Sequence, residues 1–372
     1  MFSTPQKYLK KIPAELWYIL KLFIFSRIIL SVLGFIAVKT LTIPEAAWRS
    51  EYTSNALLKI WAVWDSKWYL DIAQHGYSAV LPFNSYLESN YAFFPLYSLC
   101  IKLVSFLTQN IFIAGLVVSN VCFIAAAWVF YKLIKLDYSE QVTKRSLKYL
   151  FLLPAAFVFS GIFAESLFLL LALLCFYNAR KNKWLWVGIF GILLGLTKPF
   201  AILIIPALII IYGKQIKLSA LALFSPLIGI VLYGFYTLKE VGDFFAYSHL
   251  QQHSWGHSYS DPLTTAFVAL IKGNIHDKIS LLFVALAIAL CVFSYKKIKL
   301  EYFVFTVLLL LFNPLTGTFA GSLRYMIVGF PLALMLAVSS EELEKHEFLA
   351  IALALLQGGL MILWVHSIWL LV

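Results

Sequence analysis

Residues 61–77 read Trp61-Ala-Val-Trp64-Asp65-Ser-Lys67-Trp68-Tyr69-Leu-Asp71-Ile72-Ala-Gln-His75-Gly76-Tyr77 and lie between strongly apolar segments. If this stretch is helical, residues three and four apart share a face, which would hold Trp61, Trp64, Asp65, Trp68, Tyr69 and Ile72. Aromatic rings cover the apolar C–H faces of sugars, and a carboxylate accepts a hydrogen bond or a proton from a hydroxyl. The face is therefore a candidate sugar site. The alternative is an interfacial helix with a tryptophan belt, on which Asp65 and Lys67 are simply solvated.

The composition around this stretch is that of a membrane protein. The chain has 372 residues, of which 62% are hydrophobic and 13% charged, and its mean hydropathy is +0.87. A soluble core of this size could not bury so much apolar surface, which predicts an all-α polytopic membrane protein. The net charge of +11 comes from short cationic clusters between apolar runs. We interpret these clusters as topology signals and expect no nucleic-acid partner.

Loop charge predicts how the chain crosses the membrane. Lys7, Lys10 and Lys11 precede an apolar run at residues 17–38 that is long enough to be a retained anchor. Four later connections are basic and are expected inside: Lys132/Lys135/Lys144/Arg145/Lys148, Arg180/Lys181/Lys183, Lys214/Lys217 and Lys296/Lys297/Lys299. Cation-poor connections alternate with them. The pattern predicts a cytoplasmic N-terminus, an outer C-terminus and outer loops at residues 39–90 and 239–277.

Basic and cation-poor connections lie on opposite sides of the membrane only under two conditions. Residues 91–108 must re-enter or lie at the interface, and residues 149–178 and 184–212 must each form a helical hairpin. About eleven crossings follow, in one integral-membrane domain over residues 1–372. Each hairpin arm is only about 21 Å of helix, which suits segments that line a cavity. The alternative is a single long kinked helix in each place.

The predicted outer face collects ionisable residues that border apolar segments. Glu165, Lys198 and Arg324 lie at such positions, where charge is costly and usually functional. The alternatives are a helix-initiating acid, a snorkelling lysine and an anchoring arginine. His249, His253 and His257 repeat every four residues and could form a metal face, but no fixed acid accompanies them. We expect no metal or other cofactor, and favour an amide-and-aromatic sugar surface that includes Gln252 and Trp255.

Two linked motifs resemble the PIG-V-like glycosyltransferases, which include the GPI second mannosyltransferases and belong to the membrane-embedded GT-C class. The first is Trp64-Asp65-x-x-Trp68-Tyr69-Leu70-x-Ile72-Ala73-x-x-Gly76-Tyr77, and the second is Ala92-Phe93-Phe94-Pro95-Leu96-Tyr97. Weaker similarities are Glu165-Ser166-Leu167-Phe168, Gly242-Asp243…Gln252…Trp255-Gly256 and Arg324-Tyr325 before Pro331. The eukaryotic members carry His where Trp68 or Tyr69 stands, and an Arg is common near Thr197-Lys198. These departures suggest a prokaryotic cell-membrane protein rather than one of the endoplasmic reticulum.

The resemblance implies a GT-C-type bundle whose first outer loop contains interfacial helices. It also implies an inverting transfer of mannose or another hexose from a polyprenyl-phosphate donor to a hydroxyl of a glycan, lipid or protein on the extracytoplasmic side. Asp65 would be the catalytic base. Arg324 and Lys198 would meet the donor phosphate, and Glu165 would position Lys198 or sugar hydroxyls. The remaining predicted substrate-binding residues are Trp64, Trp68, Tyr69, Gln252, Trp255 and Tyr325.

Two other functions are compatible with the composition. A flippase or transporter of lipid-linked saccharide could use the same basic and aromatic outer cavity, although paired repeats and ionisable residues near the membrane centre would then be expected. A structural partner in an envelope-building complex would leave the Asp65 motif unexplained.

Overall fold

The computed structural model describes residues 13–41, 52–78, 89–213 and 217–367. Lys7, Lys10 and Lys11, parts of the 39–90 loop and Lys214 lie outside the described residues. The predicted all-α fold is confirmed. The α-helices are α1 Ala14–Thr40, α2 Ala56–Lys59, α3 Ser66–His75, α4 Pro95–Thr108, α5 Ile111–Ile134, α6 Glu140–Leu152, α7 Glu165–Arg180, α8 Trp184–Gly195, α9 Ile205–Tyr212, α10 Ser225–Val241, α11 Ala246–His253, α12 Pro262–Ile271, α13 Ile275–Ser294, α14 Leu300–Leu315, α15 Ser322–Ile327, α16 Pro331–Ser339 and α17 Leu343–Val365. Four 3₁₀ segments connect them: Asn90–Ala92, Ala156–Ser160, Pro199–Ile204 and Leu218–Phe224.

Several of these helices can cross a membrane by length and composition. Among the described residues these are Ala14–Thr40, Ile111–Ile134, Leu218–Val241, Ile275–Ser294 and Leu343–Val365. Shorter apolar helices, such as α8 and α14, pack among them. Helix α7 lies between α5 and α8, and most of its side chains are buried. The protein is therefore a polytopic membrane bundle, as predicted, while the number of crossings stays a prediction.

The bundle has two chemically different ends, which α7 connects. At its C-terminus, Arg180 pairs with Asp137 at 2.6 Å and with Glu301 at 3.3 Å, and Lys299 pairs with the same Asp137 at 3.4 Å. Three of the predicted inner connections thus contribute to one end, here called the basic end. At its N-terminus, α7 starts with Glu165, next to the residues of a cavity. We call this the cavity end.

Both predicted hairpins are present. In residues 149–178, α6 starts at the basic end, where Arg145 donates to the Ser340 carbonyl at 2.9 Å. The chain bends after Pro154, reaches the cavity end and returns as α7. In residues 184–212 the chain turns beside Pro199, and the ring of Tyr212 comes back to within 4.7 Å of the Trp184 ring. A single long kinked helix is therefore excluded in both places.

Helix α4 runs beside only half of α5. A two-residue turn joins the helices, and the Tyr97 hydroxyl at the start of α4 lies 2.5 Å from Ser119 Oγ, near the middle of α5. Helix α5 continues for four more turns beyond that contact. Residues 91–108 therefore do not traverse the bundle, which agrees with the predicted re-entrant or interfacial segment.

One prediction about the first loop is wrong. Residues 61–72 do not form one helical face, because α3 begins only at Ser66 and Trp64 has a left-handed backbone with φ 54°. The carbonyl of Trp61 accepts a hydrogen bond from Ile162 N at 2.9 Å instead of continuing a helix. The left-handed conformation is strained for a bulky residue and is typical of functional segments. It places Trp64 and Asp65 at the N-terminus of α3, facing the cavity.

Close contact between α8 and α10 positions the segment that carries Lys198. A Cβ on Gly195 would lie 2.1 Å from the Pro226 carbonyl oxygen, and a Cβ on Gly229 would lie 2.2 Å from the Ile192 carbonyl oxygen. Small residues let helix backbones approach in this way within membranes. The contact fixes the end of α8, three residues before Lys198.

Candidate active site

A cavity of about 260 Å³ opens at the cavity end. Its size is near the lower end of the roughly 300–1,000 Å³ common for ligand pockets. Helix α3, the segment after Asn90–Ala92, the turn before Pro199, helix α11 and helix α15 supply its walls. The residues that the sequence singled out and that line it are Trp64, Asp65, Trp68, Tyr69, Lys198, Trp255, Arg324 and Tyr325.

Four charged side chains from four separate elements meet at the floor of this cavity. Arg324 Nη1 donates to Asp65 Oδ2. Arg324 Nε lies 3.4 Å from Glu165 Oε1, and Lys198 Nζ donates to the same oxygen at 2.7 Å. Anions and cations thus alternate along the cluster, in the order Asp65, Arg324, Glu165 and Lys198, so that each charge has an opposite neighbour.

Burial makes this cluster costly unless every charge is paired. The side chain of Glu165 is fully buried, and those of Arg324 and Lys198 are 6% and 9% exposed. Removing one partner from a buried pair costs about 3–5 kcal/mol, because it leaves an uncompensated charge. Asp65 is the most accessible member at 14%. The cluster therefore forms a rigid floor of the cavity, and Asp65 is its more accessible carboxylate.

Each of the two carboxylates has one oxygen without a hydrogen-bond partner among the described residues. Asp65 does not cap α3 with its side chain, and no described residue bonds Oδ1. Glu165 Oε2 is buried and also has no hydrogen-bond partner among the described residues. Asp65 Oδ1 is therefore the carboxylate oxygen that a hydroxyl in the cavity can reach, whereas Glu165 acts on the two cations.

The cations are also held by aromatic rings. The Arg324 guanidinium carbon lies 5.4 Å from the Phe163 ring centroid and 5.1 Å from that of Tyr325. Lys198 Nζ lies 5.3 Å from the Tyr325 centroid. Cation–π contacts of this kind stabilise a desolvated cation by up to about 2 kcal/mol. Tyr325 thus connects the two cations.

One wall of the cavity is aromatic and is organised by Phe93. Trp68 stacks on Phe93 at a centroid distance of 5.8 Å, and Trp255 meets the same ring edge-on at 6.0 Å. Tyr69 packs against it from a third side at 5.2 Å. Such a wall offers apolar faces to the C–H surface of a sugar ring.

Comparison with known proteins identifies the family of this bundle. The family model described as Mannosyltransferase (PIG-V) matches residues 16–211, more than half of the chain. The chain belongs to this family. No curated protein matches it. The protein is therefore a membrane-embedded glycosyltransferase, an enzyme that takes a sugar donor and an acceptor. The matched range contains Asp65, Glu165 and Lys198, and it ends before Trp255 and Arg324.

Two predicted residues of this PIG-V-family glycosyltransferase lie outside the cavity lining. Glu165 lies beneath the cavity, in contact with Lys198 and Arg324. Gln252 is exposed on α11, and its neighbour Gln251 lines the cavity instead. Tyr247 and Gln251 both line the cavity and are four residues apart on α11, and this helical spacing was the signal that could have selected the correct glutamine.

The histidine series separates in the structure. His249 Nδ1 pairs with Asp243 Oδ2 at 2.7 Å, and His253 is exposed. His257 lines the cavity, which sequence reasoning did not assign to it. Among the described residues no group of three His, Cys, Asp or Glu side chains could hold a metal ion.

Proposed function

We propose that this enzyme transfers mannose or another hexose from a polyprenyl-phosphate donor to an acceptor hydroxyl on the extracytoplasmic face, with inversion. The observation that carries the proposal is the pairing of Asp65 with Arg324 at the base of an aromatic cavity. Transfer of a glycosyl group requires a proton acceptor for the incoming hydroxyl and a cation for the departing phosphate. Asp65 and Arg324 supply both within one cavity.

Asp65 is the general base in this mechanism. Arg324 holds Oδ2 and fixes the orientation of the carboxylate, and Oδ1 accepts the proton. The acceptor oxygen forms a bond to the anomeric carbon as its proton passes to Asp65. Attack from the face opposite the phosphate inverts the configuration at that carbon.

Arg324 and Lys198 receive the leaving group. The bond between the anomeric carbon and the phosphate oxygen breaks, and its electron pair goes to the lipid phosphate, which gains one negative charge. A guanidinium binds phosphate through parallel N–H donors, while the lysine ammonium acts as a point charge. Glu165 holds both cations in place before the donor arrives.

A second groove supports a lipid-linked donor. It has a volume of about 350 Å³, and its lining includes Ile72, Tyr77, Pro95, Leu99, Leu232 and Tyr236. Leu99 and Leu232 are half-exposed on the outside of the bundle. The groove and the cavity are adjacent, because Leu196 lines the groove while Thr197 and Lys198 line the cavity. An isoprenoid chain in the groove would leave its phosphate close to Lys198, two residues beyond Leu196.

Charge asymmetry supports an extracytoplasmic site. Cationic loops are retained in the cytoplasm, and the basic end collects the Lys- and Arg-rich connections. The cavity end would then face outward. Labelling intact cells with an impermeant maleimide tests this orientation, using His253→Cys at the cavity end and Lys181→Cys at the basic end. Both positions are exposed. Labelling of only His253→Cys supports the proposal, and labelling of only Lys181→Cys contradicts it.

The activity is tested with purified enzyme in proteoliposomes. Labelled polyprenyl-phosphate-mannose, -glucose and -arabinose are offered separately with an extract of native envelope glycans, and Asp65→Asn runs beside the wild type. Transfer that is lost in Asp65→Asn, with an inverted anomeric centre in the product by NMR, supports the proposal. No transfer from any donor, with labelled lipid moving between leaflets instead, would identify a transporter.

A further inference from the structure

The ring of His257 is held in one tautomer by a short relay. His257 Nδ1 lies 3.0 Å from Thr316 Oγ1, and that hydroxyl lies 2.9 Å from the Asn313 carbonyl oxygen. A carbonyl oxygen can only accept, so the single hydroxyl proton of Thr316 points to Asn313. Thr316 Oγ1 must then accept from His257 Nδ1–H. The lone pair of the imidazole is therefore on Nε2.

Nε2 of His257 is accessible from the cavity. His257 belongs to the cavity lining, and no described residue forms a hydrogen bond with Nε2. Nε2 is not fully enclosed by the described residues, and the ring that carries it lines the cavity. Desolvation by burial lowers the pKa of His257, and the nearby Arg324 lowers it further. At neutral pH the ring thus presents a hydrogen-bond acceptor.

The His257 acceptor complements the charged groups of the cavity. Lys67, Lys198 and Arg324 are all donors without acceptor capacity, and Asp65 is the base for the acceptor hydroxyl. A neutral imidazole nitrogen suits a hydroxyl of the other substrate, the donor sugar. Its proximity to Arg324 agrees, because the donor sugar is attached to the phosphate that Arg324 would bind.

We propose that His257 Nε2 accepts a hydrogen bond from one hydroxyl of the donor sugar and thereby selects the donor by the presence and orientation of that hydroxyl. This inference rests on the proposed lipid-donor transferase. The Thr316 hydroxyl is a positioning group, because it fixes which imidazole nitrogen carries the proton. A site built around a hydroxyl discriminates against an analogue that lacks it, since its polar partner is left unpaired.

The test compares donors that lack single hydroxyls. Wild type, His257→Ala and His257→Gln are assayed with the polyprenyl-phosphate sugar that the wild type transfers and with its monodeoxy analogues. With the wild type, kcat/KM for one monodeoxy analogue should be roughly 10- to 100-fold lower than kcat/KM for the natural donor. For His257→Ala, this analogue and the natural donor should react within about 3-fold of each other. His257→Gln, which retains an acceptor oxygen, should recover part of the discrimination.

A second pair of variants tests the relay without altering the imidazole. Thr316→Val removes the hydroxyl, and Thr316→Ser keeps it. Discrimination should weaken in Thr316→Val and persist in Thr316→Ser. If His257→Ala and Thr316→Val both discriminate among the analogues as the wild type does, the assignment of His257 is wrong while the transferase proposal stands. If the wild type transfers sugar from no polyprenyl donor, the proposed function itself fails and this inference fails with it.

Discussion

Replacement of Asp65 by asparagine separates its chemical role from its structural role. The substitution conserves shape and removes the charge that accepts the proton. General-base catalysis contributes about 10²- to 10⁴-fold in rate. We therefore expect kcat to fall by that factor, equivalent to roughly 3–5 kcal/mol in the activation barrier.

Asp65→Asn should lower the free energy of unfolding by less than it raises the activation barrier. The amide oxygen of asparagine can still accept from Arg324 Nη1, and Arg324 keeps Glu165 at 3.4 Å from its Nε. The loss is that of a hydrogen bond to a charged group, about 1.5–3 kcal/mol; it stays below the 3–5 kcal/mol of a fully buried pair because Asp65 is partly accessible and Arg324 keeps Glu165. The KM for the donor should stay the same or fall, because Arg324 no longer divides its attraction between a carboxylate and the phosphate.

Asp71→Asn is the matched control. Asp71 is on the same helix α3, is 38% exposed, and bonds His75 and Asn90 instead of a cavity cation. Its substitution should leave kcat within about 2-fold, in the range of surface changes. Initial rates in proteoliposomes, at saturating and at limiting donor, give kcat and KM for each variant. If Asp65→Asn retains more than about a tenth of the wild-type kcat, the loss is smaller than the least that general-base catalysis contributes, and Asp65 is not the base.

Three further predictions, one of them with a matched control substitution, have defined outcomes. Arg324→Lys keeps the charge but cannot contact Asp65 and Glu165 together, so the donor KM should rise at least about 10-fold, whereas an unchanged KM would separate Arg324 from the phosphate. Gly195→Ala places a Cβ 2.1 Å from a carbonyl oxygen of α10, so it should lower the free energy of unfolding by about 1–3 kcal/mol. The control is Gly359→Ala, whose Cβ would meet no atom within 4 Å and which should be close to neutral. Thermal unfolding of the detergent-solubilised protein measures both. Leu232→Asp puts a charge in the apolar groove, so the KM should rise for long-chain polyprenyl donors and little for short-chain ones; equal effects on both would show that the isoprenoid binds elsewhere.

Sequence reasoning succeeded where one strong physical signal dominates. Apolar runs and cationic loops were sufficient for the helical class and for the two hairpins, because membrane insertion depends on those quantities. Helical periodicity failed at Trp61 and Trp64, since a tertiary hydrogen bond to Ile162 and a left-handed backbone replace the expected helix. Local helix propensity contains no information about the hydrogen bond to Ile162 or about the left-handed backbone of Trp64.

Sequence reasoning selected charged residues that the structure brings together, but it found only part of the contacts among them. Asp65 was selected as the one carboxylate among aromatic residues, and Lys198 and Arg324 because charge beside apolar sequence is costly; all three lie at one cavity. The sharing of one Glu165 oxygen by both cations depends on residues far apart in the chain and leaves no local pattern. The same is true of the relay from Thr316 to His257, which brings together two separate loops.

The cluster at the cavity floor also has a consequence for biosynthesis. Glu165 and Lys198 belong to neighbouring hairpins and can pair early, as soon as α7 and α8 have been inserted. Asp65 must wait for Arg324, which is added after most of the chain has been made. Until then the Asp65 carboxylate lacks its Arg324 contact. On the proposed mechanism the site for the donor phosphate would also be incomplete, so we expect a nascent or truncated chain that lacks α15 to be inactive in the transfer assay.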